Sequence, residues 1–189
     1  QAEVEFVHNE LSIDMLKAAW AALVCEVADS VPGEVGDTEA WEIAAITLGA
    51  LALAGTDEGV EVAGAWFESQ WLRHQGHGPE VGHCTFCGDR VEPPSRNAPG
   101  QLVPFSIEQG GTLCAECARR EINCLHIHVE SLRALHRLER SRRPSPHLGL
   151  THSQMTSLLC CLDRNIAFHC GLHLRSLPFR NEIRAAKAL

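Results

Sequence analysis

The sequence predicts a mainly α fold in three parts: an N-terminal helical bundle, a small zinc module, and a C-terminal helical segment. Three observations carry that prediction. Apolar residues recur at spacings of three and four before residue 75 and again after residue 128. Two Cys-x-x-Cys pairs, Cys84/Cys87 and Cys114/Cys117, lie between those regions. A glycine-rich stretch, Gly76-His-Gly78-Pro79 and then Gly82, stands just before the first pair and is too rich in glycine to continue a helix. The predicted division is therefore an acidic helical bundle over residues 1–74, a linker at 75–82, a zinc-binding module at 83–123, and a basic helical region at 124–189.

The first helix is predicted from Leu11 to Ala28, with Leu16, Trp20, Leu23, Val24 and Val27 on one side and Ser12 as its N-cap. Val31-Pro32-Gly33 breaks the pattern. Asp37 or Thr38 caps a second helix that runs to about Ala54 and is closed by Gly55. Its stretch from Ala40 to Ala54 is the longest apolar run, is interrupted by Glu42, and falls short of the roughly 18 to 20 residues that span a bilayer, so a buried helix is expected and no membrane. A third helix, from Asp57 to His74, sets Val62, Trp66, Phe67 and Trp71 on one face and Glu58, Glu61 and Glu68 toward solvent. Short turns between three such helices make an antiparallel bundle.

Beyond the linker, Gln101 to Ile107 is the one convincing strand, bounded by Pro99-Gly100 and Gly110-Gly111. A helical region then runs from the second cysteine pair toward Arg140, with Val129, Leu132, Leu135, His136 and Leu138 in an amphipathic pattern, and Arg142-Arg143-Pro144-Ser145-Pro146 ends it. Thr151 and Gln154 stand in capping-box relation ahead of Met155, Leu158, Leu159 and Leu162, so another helix starts there. The tail from Asn181 to Leu189 reads as a weak helix that frays.

Charge divides unevenly along the chain. Residues 1–80 hold 15 acids against 2 bases, and residues 81–189 hold 9 acids against 14 bases. Such a split fits two halves that face each other, or a basic half that meets an acidic partner. Gln1 is followed by Glu3 and Glu5, without the basic and apolar segments of a leader, so a soluble, cytoplasmic protein is expected. Nine cysteines is an odd number for a disulfide framework, and in a reducing compartment paired Cys-x-x-Cys motifs point to metal.

Zinc prefers a tetrahedral shell of thiolates, and a Cys-x-x-Cys turn converges two sulfurs on one ion while backbone amides hydrogen-bond to them. Two such turns complete the shell, leaving no open position for chemistry. One structural zinc ion is therefore expected on Cys84, Cys87, Cys114 and Cys117. Gly88, just after the second ligand, supplies the positive φ that the turn requires, and the second pair leads into helix-favouring residues. The segments Cys84-Thr-Phe-Cys87-Gly88 and Leu113-Cys114-Ala-Glu-Cys117-Ala118 resemble the zinc-binding N-terminal domain of the ClpX unfoldase over about residues 82–123. That resemblance implies a treble-clef-like module, structural zinc on those four cysteines, and docking or dimerisation through the module. The chain lacks the GxxxxGK[ST] phosphate loop, so it is not the ATPase, and its Glu92-Pro-Pro-Ser-Arg96 loop differs from the unfoldase.

Other constellations compete with plainer readings. Cys124, seven residues after Cys117, resembles the third cysteine of WhiB-like iron-sulfur regulators, but the spacing and the glycine- and tryptophan-containing turn of that family are missing; burial explains it better. His126 and His128 straddle Ile127 and could ligate a second metal from one strand face, as could Cys160, Cys161 and Cys170 with His169 and His173; core packing is the plainer account. Arg133, Arg137, Arg140, Arg142 and Arg143 form the one basic run, suited either to nucleic-acid phosphates or to the acidic half. No GxSxG, GxGxxG or HExxH motif points to catalysis. The function expected from these residues is a non-enzymatic, zinc-stabilised protein-interaction or adaptor protein, possible as a homodimer through the zinc module, with the surface around Phe86 and Phe105 as its contact. The alternatives are a DNA-binding transcriptional regulator that uses Arg133 to Arg143, and a metalloenzyme with an open coordination position.

Overall fold

The computed structural model describes residues 9–30, 37–91 and 101–187. Val31-Pro32-Gly33, the Glu92 to Arg96 loop and Pro99-Gly100 lie outside them. The described elements are α1 (Glu10–Ile13), α2 (Met15–Ser30), α3 (Thr38–Leu53), α4 (Asp57–His74), β1 (Leu102–Ser106), β2 (Gly111–Thr112), α5 (Ala115–Ala118), β3 (Cys124–His128), α6 (Val129–Arg140), α7 (His152–His169) and α8 (Ser176–Lys187). Among the described residues the molecule is mainly α with one small sheet. The chain divides into two compact units: Gln1–Phe67 with Arg143–His147 and His173–Leu189, and Glu68–Arg142 with Leu148–Leu172.

The first unit is built on α2. Leu16, Trp20, Leu23, Val24 and Val27 are all buried, as their spacing predicts. The cap is not Ser12, whose hydroxyl instead donates to the Asn9 carbonyl. Extended backbone at Asp14 separates α1 from α2, and the Asp14 carboxylate accepts from the amides of Leu16 at 2.8 Å and Lys17 at 3.1 Å, which satisfies the orphan donors of the first turn. Asp37 caps α3 as expected, accepting from Ala40 N. Although α3 is mostly apolar, it is not fully buried: Ile43, Ala44 and Leu51 are inside, while Trp41 and Leu53 face solvent. On α4, Gly64 gives α2 its close approach. A Cβ there would fall 2.3 Å from the Trp20 ring, so only glycine lets the indole lie on the α4 backbone.

The tail forms helix α8 from Ser176 to Lys187, five residues ahead of the expected start. The Glu26 carboxylate on α2 accepts from the amides of Arg175 and Ser176, each at 2.8 Å, and from the Ser176 hydroxyl at 2.6 Å, capping α8 from 150 residues away in sequence. Burial alone would raise the Glu26 pKa, but these hydrogen bonds, Ser176 foremost, bring it from 4.5 down to about 2. Further along α8, the buried Arg180 guanidinium lies 4.3 Å over the Trp20 ring, Arg184 pairs with Glu61, and Lys187 bridges Asp14 and Asp57.

In the second unit the sheet has the order β2-β1-β3, antiparallel throughout. Only β1 is foreseen by the sequence. Strand β3 pairs Leu102 with His128 and Val103 with Ile127, and so interrupts the helical region expected after Cys117. Helix α6 follows at once, with Val129, Leu132, Leu135 and Leu138 buried. Val103, Phe105, Ile127, Val129, Leu132 and Cys161 form one apolar cluster that joins β1, β3, α6 and α7. Helix α7 starts at the predicted capping box: Gln154 N donates to Thr151 Oγ1 at 3.3 Å, and Thr151 N to Gln154 Oε1 at 2.9 Å. Glu68, expected in solvent, is fully buried, because the last turns of α4 are covered on that side as well.

Candidate metal centre and arginine face

The first cysteine turn is closed by Cys84 N donating to Asp89 O at 2.7 Å and Gly88 N donating to Cys84 O at 2.8 Å. Gly88 has the predicted positive φ, +79°. The second turn leaves β2, where Leu113 N donates to Pro104 O at 2.9 Å and holds it against β1. Cys114 is the N-cap of α5, and its sulfur accepts from Cys117 N at 3.4 Å. A bond from Thr85 N to Thr112 O at 3.0 Å ties the two turns together.

The four sulfurs meet. All lie within 4.8 Å of one another, with Cys87 Sγ and Cys114 Sγ 3.8 Å apart, and no disulfide joins them. Tetrahedral sulfur ligands at about 2.3 Å from zinc stand roughly 3.8 Å apart, so the donor set fits one such ion. Burial opposes ionisation of Cys84, yet backbone donors at Cys114, Cys87 and Phe86 outweigh it and hold that thiol at about 6. Cys117 is pushed up to about 12, first by burial and then by the thiols of Cys114, Cys87 and Cys84. The cluster favours one thiolate and discourages the next, a conflict that a divalent cation removes by deprotonating its ligands. The cluster therefore has the composition and spacing to hold one metal ion.

Phe86 is exposed at the tip of the first turn, but Phe105 is buried in β1, so the two do not form the shared surface that the sequence suggests. Among the described residues no second group of three metal-ligating side chains converges. His128 Nε2 instead lies 3.2 Å from Ser153 Oγ, and His126 is exposed on β3. Cys161 is buried, Cys160 is exposed on another face of α7, and Cys170 caps the helix end half-buried. Cys124 is half-buried, its thiol pKa raised by burial.

Arg133, Arg137 and Arg140 are exposed at helical spacing on α6, followed by exposed Arg142 and Arg143. Arg133 lies 3.8 Å from Glu130, and Arg137 donates to Leu148 O at 3.1 Å. The sequence reading passed over Glu139, whose carboxyl is pushed up to about 7 by burial and by Glu80, against the pull of Arg73. Its place in an amphipathic helix gave no sign that Arg73 and Glu80 lie close to it.

Residues 13–178 match the family model described as "Recombination protein O C terminal". A DNA repair protein RecO from Desulforamulus reducens is 25% identical over 186 residues, which cover 97% of this chain and 68% of that protein. The DNA repair protein RecO of Desulforudis audaxviator is 32% identical over 121 residues, 64% of this chain and 44% of the relative. That of Syntrophomonas wolfei is 30% identical over 77 residues, 41% and 27%. The chain thus spans about two thirds of the first relative and less than half of the others.

These matches correct the reading drawn from the cysteine turns. The ClpX likeness covered about residues 82–123, whereas the family model runs almost the whole length and takes in the helices on both sides. A pair of Cys-x-x-Cys turns is a local solution to holding zinc, and it does not identify the chain around it. The adaptor or protein-interaction function and the transcriptional regulator give way with it, since the relatives are DNA repair proteins. No described helix is long and apolar enough to cross a membrane.

Proposed function

This chain belongs to the recombination protein O C-terminal family, and from that premise we propose that it is part of a DNA repair protein that meets nucleic acid along the arginine face of α6. The observation that carries the reading is the stripe itself. Arg133, Arg137 and Arg140 present three exposed guanidinium groups along one helix, and Arg142 and Arg143 extend the run. Exposed ion pairs such as Arg133 with Glu130 are worth at most about 1 kcal/mol, so a phosphate readily displaces the carboxylate. Guanidinium groups pair with phosphate through two parallel hydrogen bonds.

In this reading Cys84, Cys87, Cys114 and Cys117 hold one structural zinc ion. Zinc supplies a cross-link and no reactive position; the chain's own residues do the binding. The cysteine cluster adjoins the β2 edge of the sheet, and β3, at the opposite edge across β1, leads directly into α6. In this reading nucleic acid comes ahead of a protein partner, the reverse of the order expected from the zinc module.

The test is binding of mixed-sequence single and double strands across a range of salt. Affinity is expected to fall steeply, with a slope of about 0.7 to 0.9 per phosphate neutralised, and Arg133→Ala with Arg140→Ala is expected to flatten that slope by about one to two. Unchanged affinity and slope in the double variant would remove the arginine face from the reading.

A further inference from the structure

A cavity of about 460 Å³ opens in the second unit beside the arginine face, a size within the range of about 300 to 1,000 Å³ typical of small-ligand sites. Its walls are apolar, with Val81, Val103 and Leu132 among them, and its polar lining includes Glu130, Arg133 and Arg137. Glu130 carries an unmet demand. Its Oε1 lies 3.8 Å from Arg133, but Oε2 is buried and has no hydrogen-bond partner among the described residues. A buried carboxylate oxygen without a donor is costly, so the site is suited to a ligand that brings one.

We propose that this cavity takes one unstacked nucleobase of a single strand, whose amino group donates to Glu130 Oε2 while the flanking phosphates lie on Arg133 and Arg137. The proposal deepens the nucleic-acid reading above and rests on it. The three parts of the lining set the ligand's chemistry. A neutral apolar molecule leaves both arginines and the carboxylate unmatched. An anionic acyl chain suits the arginines but brings Glu130 no donor and meets its negative charge. A nucleotide supplies a flat, largely apolar body, N–H donors on one edge and phosphates on the other side. A carboxylate accepts from the amino group of cytosine, as it can from those of adenine and guanine, whereas thymine has no amino group and offers a single N–H between two carbonyl oxygens. The base must be unpaired, because a paired base remains in the stack and cannot enter a cavity.

The experiment is fluorescence anisotropy of the 189-residue chain with oligodeoxycytidine, oligothymidine and an abasic strand, of equal length and at one salt concentration. All three carry the same phosphates, so only the base differs. Oligodeoxycytidine is expected to bind about fivefold or more tighter than the other two. Glu130→Ala is expected to abolish that preference while binding the abasic strand at least as well as the parent, which also shows that the variant is folded. Equal affinity of the three strands, or a preference unchanged by Glu130→Ala, would overturn the base site and leave the arginine face standing. Failure of every strand to bind at low salt would overturn both.

Discussion

The two units hold themselves together by different means. The first unit is a helical assembly around Trp20, which touches the α4 backbone at Gly64 and the guanidinium of Arg180. Its last helix is fastened by carboxylates at Glu26, Glu61, Asp14 and Asp57. The second unit contains a three-stranded sheet in which β2 is two residues long, and beside it four cysteine sulfurs converge. Where the chain has large apolar side chains to bury, packing suffices. Where it has short strands and turns, four converging thiols offer a place at which one metal ion would reinforce the small apolar cluster around Val103, Phe105 and Ile127.

That contrast can be broken most strongly at the cysteines. Cys87→Ser with Cys117→Ser should destabilise the second unit by more than about 4 kcal/mol, as loss of a structural metal does. Urea unfolding followed by circular dichroism should then show an early transition for this unit, and a strong chelator should produce the same transition in the parent. The next largest effect is expected in the first unit. Gly64→Ala places a methyl carbon 2.3 Å from the Trp20 ring and should cost about 1 to 3 kcal/mol, read from tryptophan fluorescence during unfolding, with metal content unchanged.

Acid should separate the units further. The Glu26 carboxyl is held at about 2 in the folded chain against an ordinary 4.5, so the stability it contributes is present above about 4.5 and is lost as pH falls toward 2. Glu26→Gln should make unfolding of the first unit less dependent on pH in that window, and should cost about 1 kcal/mol at neutral pH through the weakened α8 cap. Thr151→Ala, which removes half of the α7 capping box, is expected to have the smallest effect, about 1 kcal/mol or less, confined to the second unit and visible as a shift in its urea midpoint.

These same places mark where sequence could and could not be read. The Trp20 stripe, the Asp37 cap, the Thr151 capping box and the convergence of two Cys-x-x-Cys turns are local patterns, and each has its partners within a few residues or a fixed motif. The cap of α8 is not local: Glu26 and Ser176 meet only after the chain has folded. Strand β3 was hidden because Leu125 and Ile127 run into the helical period of α6, and only pairing with β1 distinguishes them. Glu68 reads as solvent-facing on a helical wheel because the wheel assumes one covered side. At the candidate site the metal cluster was legible from spacing, while the cavity containing Glu130 depends on residues from 81 to 150 brought together by the sheet.

The identity of the metal shell tests the account most directly. Zinc-edge X-ray absorption on the purified chain should show one zinc per molecule with four sulfur neighbours at about 2.3 Å, and no zinc in the Cys87→Ser, Cys117→Ser variant. A shell containing nitrogen or oxygen, or zinc retained in full by that variant, would contradict it.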